Sequence, residues 1–277
     1  MKNVLLVMVM VLGLASQAQA KETLSVAFVF DRNTINLNSS QRNSLADDYM
    51  DKLNYTFKNS GLSSYIAFKK VAVAYRPISK SGDNLKKLHN RYYDYNTDAK
   101  IPKPRLTLHY YQRYYHADVV IGIVDFNENV SGISAFIPKK SFGTPKKANT
   151  PLLAFGDFGI CFVNYRFRNQ KEQPAHEVGH SFGFRHGKAA EGFIDSNLVE
   201  KYANGYGVTK GLNYGTVMAG RYLTSSERGI ENRFSNPYSY KCGYWSDTNK
   251  CGDSTANAVT FILKYAKYFN KRGDWYE

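Results

Sequence analysis

The chain has 277 residues, of which 43% are hydrophobic, and a formal net charge of +14. This length fits one large domain or two closely joined subdomains. The basic balance favours acidic partners, with a cationic surface that serves only solubility as an equal alternative. No nucleic-acid fold motif accompanies the charge, so the sequence does not predict a nucleic-acid partner. No stretch after the N-terminal segment is long and apolar enough to predict a membrane span.

The first twenty residues have the features of a secretory signal. Lys2 supplies a positive start, Val4 to Ala15 form a short apolar run, and Ala18-Gln19-Ala20 is a small-residue cleavage site. The alternative is a buried N-terminal strand or helix. Position 21 is Lys21 and not cysteine, so nothing indicates a lipid anchor. The pattern predicts a secreted or periplasmic protein whose mature chain spans 21–277.

Strands and helices are predicted to alternate over the next part of the chain. Thr23 to Asp31 and Tyr65 to Tyr75 have the composition and length of strands. Asn43 to Gly61 is a predicted helix, because apolar residues recur at helical spacing and a glycine follows its end. Asn84 to Tyr93 is also predicted to be helical, and residues 94–105, which contain two prolines, form a loop.

Residues 106–115 contain four tyrosines, which favour a helix packed on the sheet over an aromatic binding surface. Ala117 to Phe126 is nearly continuously apolar, as in a central buried strand. Gly132 to Pro138 is a short strand, and Leu152 to Asn164 is the last strand before the next helix. The chain therefore offers five strands, three or more helices and an α/β (α+β) pattern.

Residues 176–186 carry the sequence H-E-x-x-H-x-x-G-x-x-H. His176 and His180 lie one turn apart on one face of a helix, so two imidazoles can reach one metal ion. Gly183 lies where the chain must leave the helix, because a residue without Cβ takes a left-handed turn at little cost. His186 then returns as a third ligand. Three of the six histidines of the chain belong to this motif.

Three neutral imidazoles leave one coordination position of a Zn²⁺ ion open, which is typical of catalytic zinc sites. Glu177 follows the first ligand and is predicted to act as general base on a zinc-bound water. The reaction this equips is attack of water on a polarised carbonyl. The alternative for the motif is a solvated helix that carries histidine and glutamate by coincidence.

The last third of the chain adds a methionine, three cysteines and a helix. Met218 lies in the run Gly215-Thr216-Val217-Met218-Ala219-Gly220 and alone would be a core residue. Cys242 and Cys251 are spaced for a short disulfide loop, which leaves Cys161 as a buried thiol. Cys161 could also pair with either of the other two. Residues 254–270 form a helix, with Asp253 or Ser254 as N-cap.

The histidine run followed by G-T-x-M-A resembles the metzincin clan of zinc endopeptidases, whose signature ends in a Met-turn. The further order of a Tyr-Gly segment, R-F-S-N-P and a terminal helix is similar to bacterial reprolysin-like metallopeptidases, including the peptidyl-Asp metalloendopeptidases. The resemblance implies a twisted mixed five-stranded sheet, an upper subdomain of about 21–186 and a smaller lower subdomain of about 187–277. It makes Met218 an apolar support under the histidines, and 132–138 an edge strand that binds extended peptides.

Two departures from the metzincin pattern bear on the site. Gly187 follows the third histidine and assigns the chain to no subfamily. Gly220 stands where astacins and serralysins carry a tyrosine that approaches the zinc, so no tyrosine ligand is expected.

The sequence thus predicts a monomeric secreted zinc endopeptidase that acts on protein or peptide substrates, with acidic segments suited to its charge. The alternative from a different class is a secreted basic binding protein or toxin with a non-catalytic zinc site. A weaker rival is a zinc amidase that acts on cell-wall peptides.

Overall fold

The fold is a mixed α/β arrangement around one five-stranded sheet. The computed structural model describes residues 21–93, 106–134, 159–170, 172–187, 204–205, 207–208, 214–218, 230–231, 233–238, 251–253 and 256–269. The predicted signal segment, the loop 94–105 and the first part of the strand predicted from Leu152 lie outside these residues, and so does Cys242.

The sheet has the strand order β2-β1-β3-β5-β4. Its first four members in that order pair in parallel, and β4 pairs antiparallel with β5 at the edge. The sheet is therefore mixed, as predicted. Its strands are β1 (Glu22–Asp31), β2 (Ile66–Arg76), β3 (Val119–Val124), β4 (Gly132–Ser134) and β5 (Ile160–Asn164).

Alternating side chains of the central strands enter two separate apolar clusters, one on each face of the sheet. In β1, Phe28 and Phe30 point to one cluster, whereas Ala27 and Val29 point to the other. This period of two is the geometry of a strand buried on both faces. The helices that cover the two faces are α1 (Ser39–Asn59), α2 (Leu85–Tyr93), α3 (Leu106–Tyr114) and α4 (Gln173–Ser181).

Two of these four helices cover each face of the sheet. Buried residues of α1 and α4 join the cluster that contains Phe28, and those of α2 and α3 join the cluster that contains Val29. The prediction that residues 106–115 form a helix on the sheet is confirmed, since Leu108 and Tyr111 are buried there. Tyr110 and Tyr114 of the same helix are more than half exposed.

The helix predicted from Asn43 begins four residues earlier, at Ser39. The reason is a capping box: the Asn38 side chain accepts from the Gln41 N–H, and the Gln41 side chain accepts from the Asn38 N–H, both at 2.9 Å. Gly61, just past the end of α1, has a φ of +77° as a helix-terminating glycine requires.

Short strands and one further helix follow α4. The strands are β6 (Arg185–Gly187), β7 (Asn204–Gly205), β8 (Gly207–Val208), β9 (Tyr214–Thr216) and β10 (Ile230–Glu231). Helix α5 (Ala258–Phe269) packs Phe261 and Ile262 into the cluster that contains Phe28.

The predicted start and cap of the last helix are wrong. The helix begins at Ala258 and not at residue 254. The Asn257 side chain accepts from the Thr260 N–H at 3.1 Å, whereas Asp253 accepts from Ala256 in the preceding turn. A better-placed Asx residue therefore caps the helix.

Cys161 lies fully buried on β5 as a thiol, which is one of the two alternatives that the sequence left open. The pairing of Cys242 with Cys251 stays a prediction, because Cys242 lies outside the described residues. Among the helices described, none combines the length and the apolar character needed to cross a membrane.

Candidate metal centre

The three predicted histidine ligands converge in the structure. His176 and His180 lie on α4, and His186 lies on β6. The Nε2 atom of His180 is 3.2 Å from that of His176 and 3.0 Å from that of His186, and the remaining pair is also 3.0 Å apart. Two nitrogens bound to one tetrahedral zinc ion lie about 3.3 Å apart. The three Nε2 atoms are therefore close to the spacing of ligands that share an ion.

Backbone carbonyls determine which nitrogen of two of these rings carries the proton. His176 Nδ1 lies 2.7 Å from the Val217 carbonyl oxygen, and His180 Nδ1 lies 2.8 Å from that of Phe184. A carbonyl only accepts, so each Nδ1 must donate. In the neutral ring, Nε2 is then left with a free lone pair directed at the other histidines. This is the usual outer contact of a metal-binding histidine.

The turn at Gly183 ends the helix and brings the third histidine back. Gly183 has a φ of +95°, the left-handed conformation that its predicted role requires. The Gly183 N–H donates to His180 O at 2.8 Å, and the Phe184 N–H donates to Gly179 O at 2.9 Å. This is the Schellman pattern of helix termination. The same turn directs the Phe184 carbonyl to His180 and starts β6, which carries His186.

Glu177 is 2% exposed, and its Oε2 atom has no hydrogen-bond partner among the described residues. Burial raises the pKa of this carboxyl well above its ordinary value. A buried, unpaired carboxylate is expensive to maintain, and such groups cluster at functional sites. Glu177 directly follows the first histidine of the triad. Its Oε2 atom could accept a proton, as a general base must.

The carboxylate of Glu177 lies against the first residue of the edge strand. A Cβ built on Gly132 would come within 2.5 Å of Glu177 Oε1 and 2.6 Å of the Phe162 carbonyl oxygen. No real side chain tolerates such contacts, so glycine is required here by close approach. The predicted edge strand β4 therefore runs directly beside the predicted catalytic residue.

Met218 is 1% exposed and packs against the middle of α4. A Cβ on Gly179, between the two helical histidines, would lie 2.8 Å from Met218 Sδ. The segment before it is tied down as well, since the Val217 N–H donates to Arg233 O at 2.9 Å. The methionine segment therefore supports the helix and, through the Val217 carbonyl, orients His176.

Val217, Phe184 and Gly132 were not among the predicted site residues, because each acts through a main-chain group or the lack of a side chain. Gln173, a buried residue at the start of α4 whose side chain contacts the strands, was not predicted either. Its spacing of four residues before Glu177 was the available signal, since this spacing puts both on one helix face.

No protein-family model matches the chain, and no curated protein matches it. A solved structure described as "Structure of a chaperone-substrate complex" is similar in fold, with a TM-score of 0.59 and 17% sequence identity. The similarity covers 91% of this chain and 35% of that one, so this chain spans about a third of the length of its neighbour. At this level of identity the likeness concerns the fold alone.

Proposed function

We propose that the protein is a secreted zinc-dependent endopeptidase of the metzincin type. The observation that carries this proposal is the meeting of three Nε2 atoms within 3.2 Å of one another beside a buried carboxylate. A ligand set for a metal and an unpaired base are the two parts that hydrolysis of a peptide bond requires. Helix α4 supplies two of the histidines and the carboxylate, and β6 supplies the third histidine.

Zinc is the metal that we propose for this donor set. Imidazole nitrogen suits zinc, copper, iron and nickel, whereas calcium and magnesium prefer oxygen. Three histidines with no fourth protein ligand among the described residues match the catalytic zinc pattern. When bound, zinc supplies a water of lowered pKa and polarises the substrate carbonyl.

The protein's own part in the reaction belongs to Glu177. Its carboxylate takes the proton from the attacking water and passes it to the leaving amine. Burial raises its pKa, which brings its proton affinity towards that of a group that works near neutral pH. His176 and His180 each donate a hydrogen bond from Nδ1 to a main-chain carbonyl, which leaves their Nε2 atoms available as ligands.

The edge strand β4 supports a peptide as substrate. It pairs on one side with β5, and no described strand pairs with its other side. An extended chain can add to such an edge through backbone hydrogen bonds. Since Gly132 contacts the Glu177 carboxylate, a peptide bound along β4 would pass close to this base.

The second candidate is a secreted binding protein with a non-catalytic metal site. It is favoured by Tyr110 and Tyr114, which stack with ring centroids 5.5 Å apart and are both more than half exposed. A binding protein, however, has no use for a buried Glu177 whose Oε2 atom finds no hydrogen-bond partner in the described part of the chain. The endopeptidase accounts for both the histidines and the carboxylate.

Cleavage of an unbiased peptide library tests the proposal. The zinc-loaded protein should cleave peptides, and activity should vanish with a chelator and return with added zinc. Glu177→Gln should be inactive, whereas Glu172→Gln, the matched change at a partly exposed carboxylate beside the same helix, should be active. A protein that binds one zinc ion and cleaves nothing would favour the binding protein instead.

A further inference from the structure

Gln173 connects the active-site helix to the edge of the sheet. It is the first residue of α4, one turn before Glu177, and is 2% exposed. Its side-chain Nε2 donates to the Ser131 carbonyl and, at 3.3 Å, to the Asn164 carbonyl. Ser131 immediately precedes β4, and Asn164 ends β5. One side-chain amide therefore links the helix to both neighbouring strands.

Asn164 extends this connection into the segment before β4. Its buried Nδ2 donates to the carbonyls of Phe126 at 3.0 Å and Val130 at 3.1 Å. Its main-chain N–H donates to the Ser131 carbonyl at 2.7 Å. The Asn164 side chain therefore bonds to both ends of the segment from Phe126 to Val130 and fixes its shape. The start of β4 cannot move away from α4 without breaking hydrogen bonds of Asn164 or Gln173.

The hydrogen bonds of Gln173 and Asn164 fix the start of β4, and this end of the strand lies beside Glu177. Gly132 follows Ser131 directly, and a Cβ on it would lie 2.5 Å from Glu177 Oε1. Any side chain at this position would therefore clash with the carboxylate. A displacement of β4 would therefore change the distance between the Glu177 carboxylate and any chain paired with β4.

Stability alone does not explain a glutamine at this position. Gln173 Oε1 is buried and has no hydrogen-bond partner among the described residues. An unpaired buried carbonyl destabilises the folded state. The Ser131 carbonyl would keep its donor from the Asn164 main chain if Gln173 were apolar. What the glutamine adds is a directional link between helix and strand.

We propose that Gln173 is a positioning residue, which holds β4 at the distance from Glu177 that aligns a bound peptide with this carboxylate. The kinetic consequence rests on the proposed endopeptidase function. The structural consequence, a fixed start of β4, does not depend on it.

Gln173→Met in the full zinc-loaded chain tests this proposal, because it keeps the length of the side chain and removes the amide. Gln112→Met is the matched control, since Gln112 is fully buried on α3, away from α4. The measurements are zinc bound per chain, Tm, amide hydrogen exchange over residues 126–134, and kcat and KM on a cleaved peptide. Gln173→Glu, which keeps the shape but replaces the donor by an acceptor, is a second variant.

Gln173→Met should keep its zinc and change Tm by no more than about 2 °C. Exchange of the Gly132–Ser134 amides should become about tenfold faster, and kcat/KM should fall about tenfold or more, mainly through kcat. Gln173→Glu should share both effects, and Gln112→Met should show neither.

Unchanged exchange in β4, or a loss of kcat/KM no larger than in Gln112→Met, would overturn the proposal. So would a fall in Tm with loss of zinc in both Gln173 variants, which would make the residue merely structural. If the wild-type protein cleaves no peptide, the endopeptidase proposal fails by itself. The exchange comparison then decides whether Gln173 holds β4.

Discussion

Two buried carboxylates in this protein have opposite surroundings. Asp31, at the end of β1, is fully buried and accepts hydrogen bonds from the main-chain N–H groups of Asn33, Ile78 and Ser79 and from the hydroxyls of Thr34 and Ser79. Glu177 is almost as buried, yet its Oε2 has no partner among the described residues. One carboxylate organises a loop, and the other is kept unsatisfied.

We interpret this difference as one between a structural carboxylate and the proposed catalytic one. The fold supplies Asp31 with hydrogen-bond donors, and these bonds stabilise the turn around it. Glu177 Oε2 has no such donor among the described residues, and burial raises the pKa of this carboxyl. A fold retains such a group only when another requirement outweighs its cost. We therefore expect substitutions at the two positions to affect different properties.

The largest effect is expected on activity in Glu177→Gln. Loss of the general base should lower kcat by about 10²–10⁴-fold. The free energy of unfolding of the metal-free protein should be unchanged or higher, because a neutral amide is easier to bury than a carboxylate. Peptide cleavage and denaturant unfolding of the same samples measure both. A variant that is active, or that is clearly less stable, would remove the contrast with Asp31.

The second-largest effect is expected on zinc affinity when one of the three histidines is substituted. His180→Gln should weaken zinc binding by about 100-fold or more. The substitution removes both the Nε2 ligand and the hydrogen bond from Nδ1 to Phe184 O that orients the ring. His116→Gln, at an exposed histidine after α3, is the control and should keep the wild-type affinity. Competition with a chromogenic chelator measures this. Equal affinities in the two variants would contradict the assigned site.

Asp31→Ala should mainly destabilise the fold. The substitution leaves the buried N–H groups of Ile78 and Ser79 without an acceptor, at a cost of about 3 kcal/mol or more in the free energy of unfolding. Asp47→Ala removes a carboxylate that is 61% exposed and paired with Lys70, so under about 1 kcal/mol is expected. Urea unfolding of both variants, with zinc present, provides the comparison. Similar losses would mean that the Asp31 bonds contribute little.

The smallest effect is expected at two glycines with positive φ. Gly183→Ala and Gly61→Ala should each cost about 1–2 kcal/mol, because alanine is strained in the left-handed region. Only Gly183→Ala should also weaken zinc binding, since its turn leads to His186. Zinc affinity and urea unfolding are measured together. Equal zinc affinity in both variants would show that the turn at Gly183 does not set the position of the third ligand.

The strands and the cluster of three histidines could be predicted because their signals are local. Continuous apolar runs identified β1 and β3, and the fixed offsets of the motif identified His176, His180 and His186. An apolar run and a motif of fixed offsets are each contained within one short segment of the chain, so neither depends on which distant residues the fold brings together.

The main-chain supports of the site could not be predicted, because the fold brings these groups together from separate parts of the chain. Any residue supplies the carbonyl that Val217 offers to His176, so its side chain carries no signal. Gly132 matters only because β4 passes beside Glu177, a contact between positions far apart in sequence. The cap of α5 was misplaced for a related reason: Asp253, Ser254 and Asn257 all suit an N-cap, and packing decides which of them is used.

The most direct single measurement is the rate of peptide cleavage as a function of zinc bound per chain, starting from metal-free protein. A rate that rises in proportion to zinc and levels off at one ion per chain is predicted. In Glu177→Gln, the same zinc binding should occur without cleavage. A rate independent of bound zinc, or full occupancy without cleavage of any library peptide, would contradict a zinc endopeptidase centred on α4.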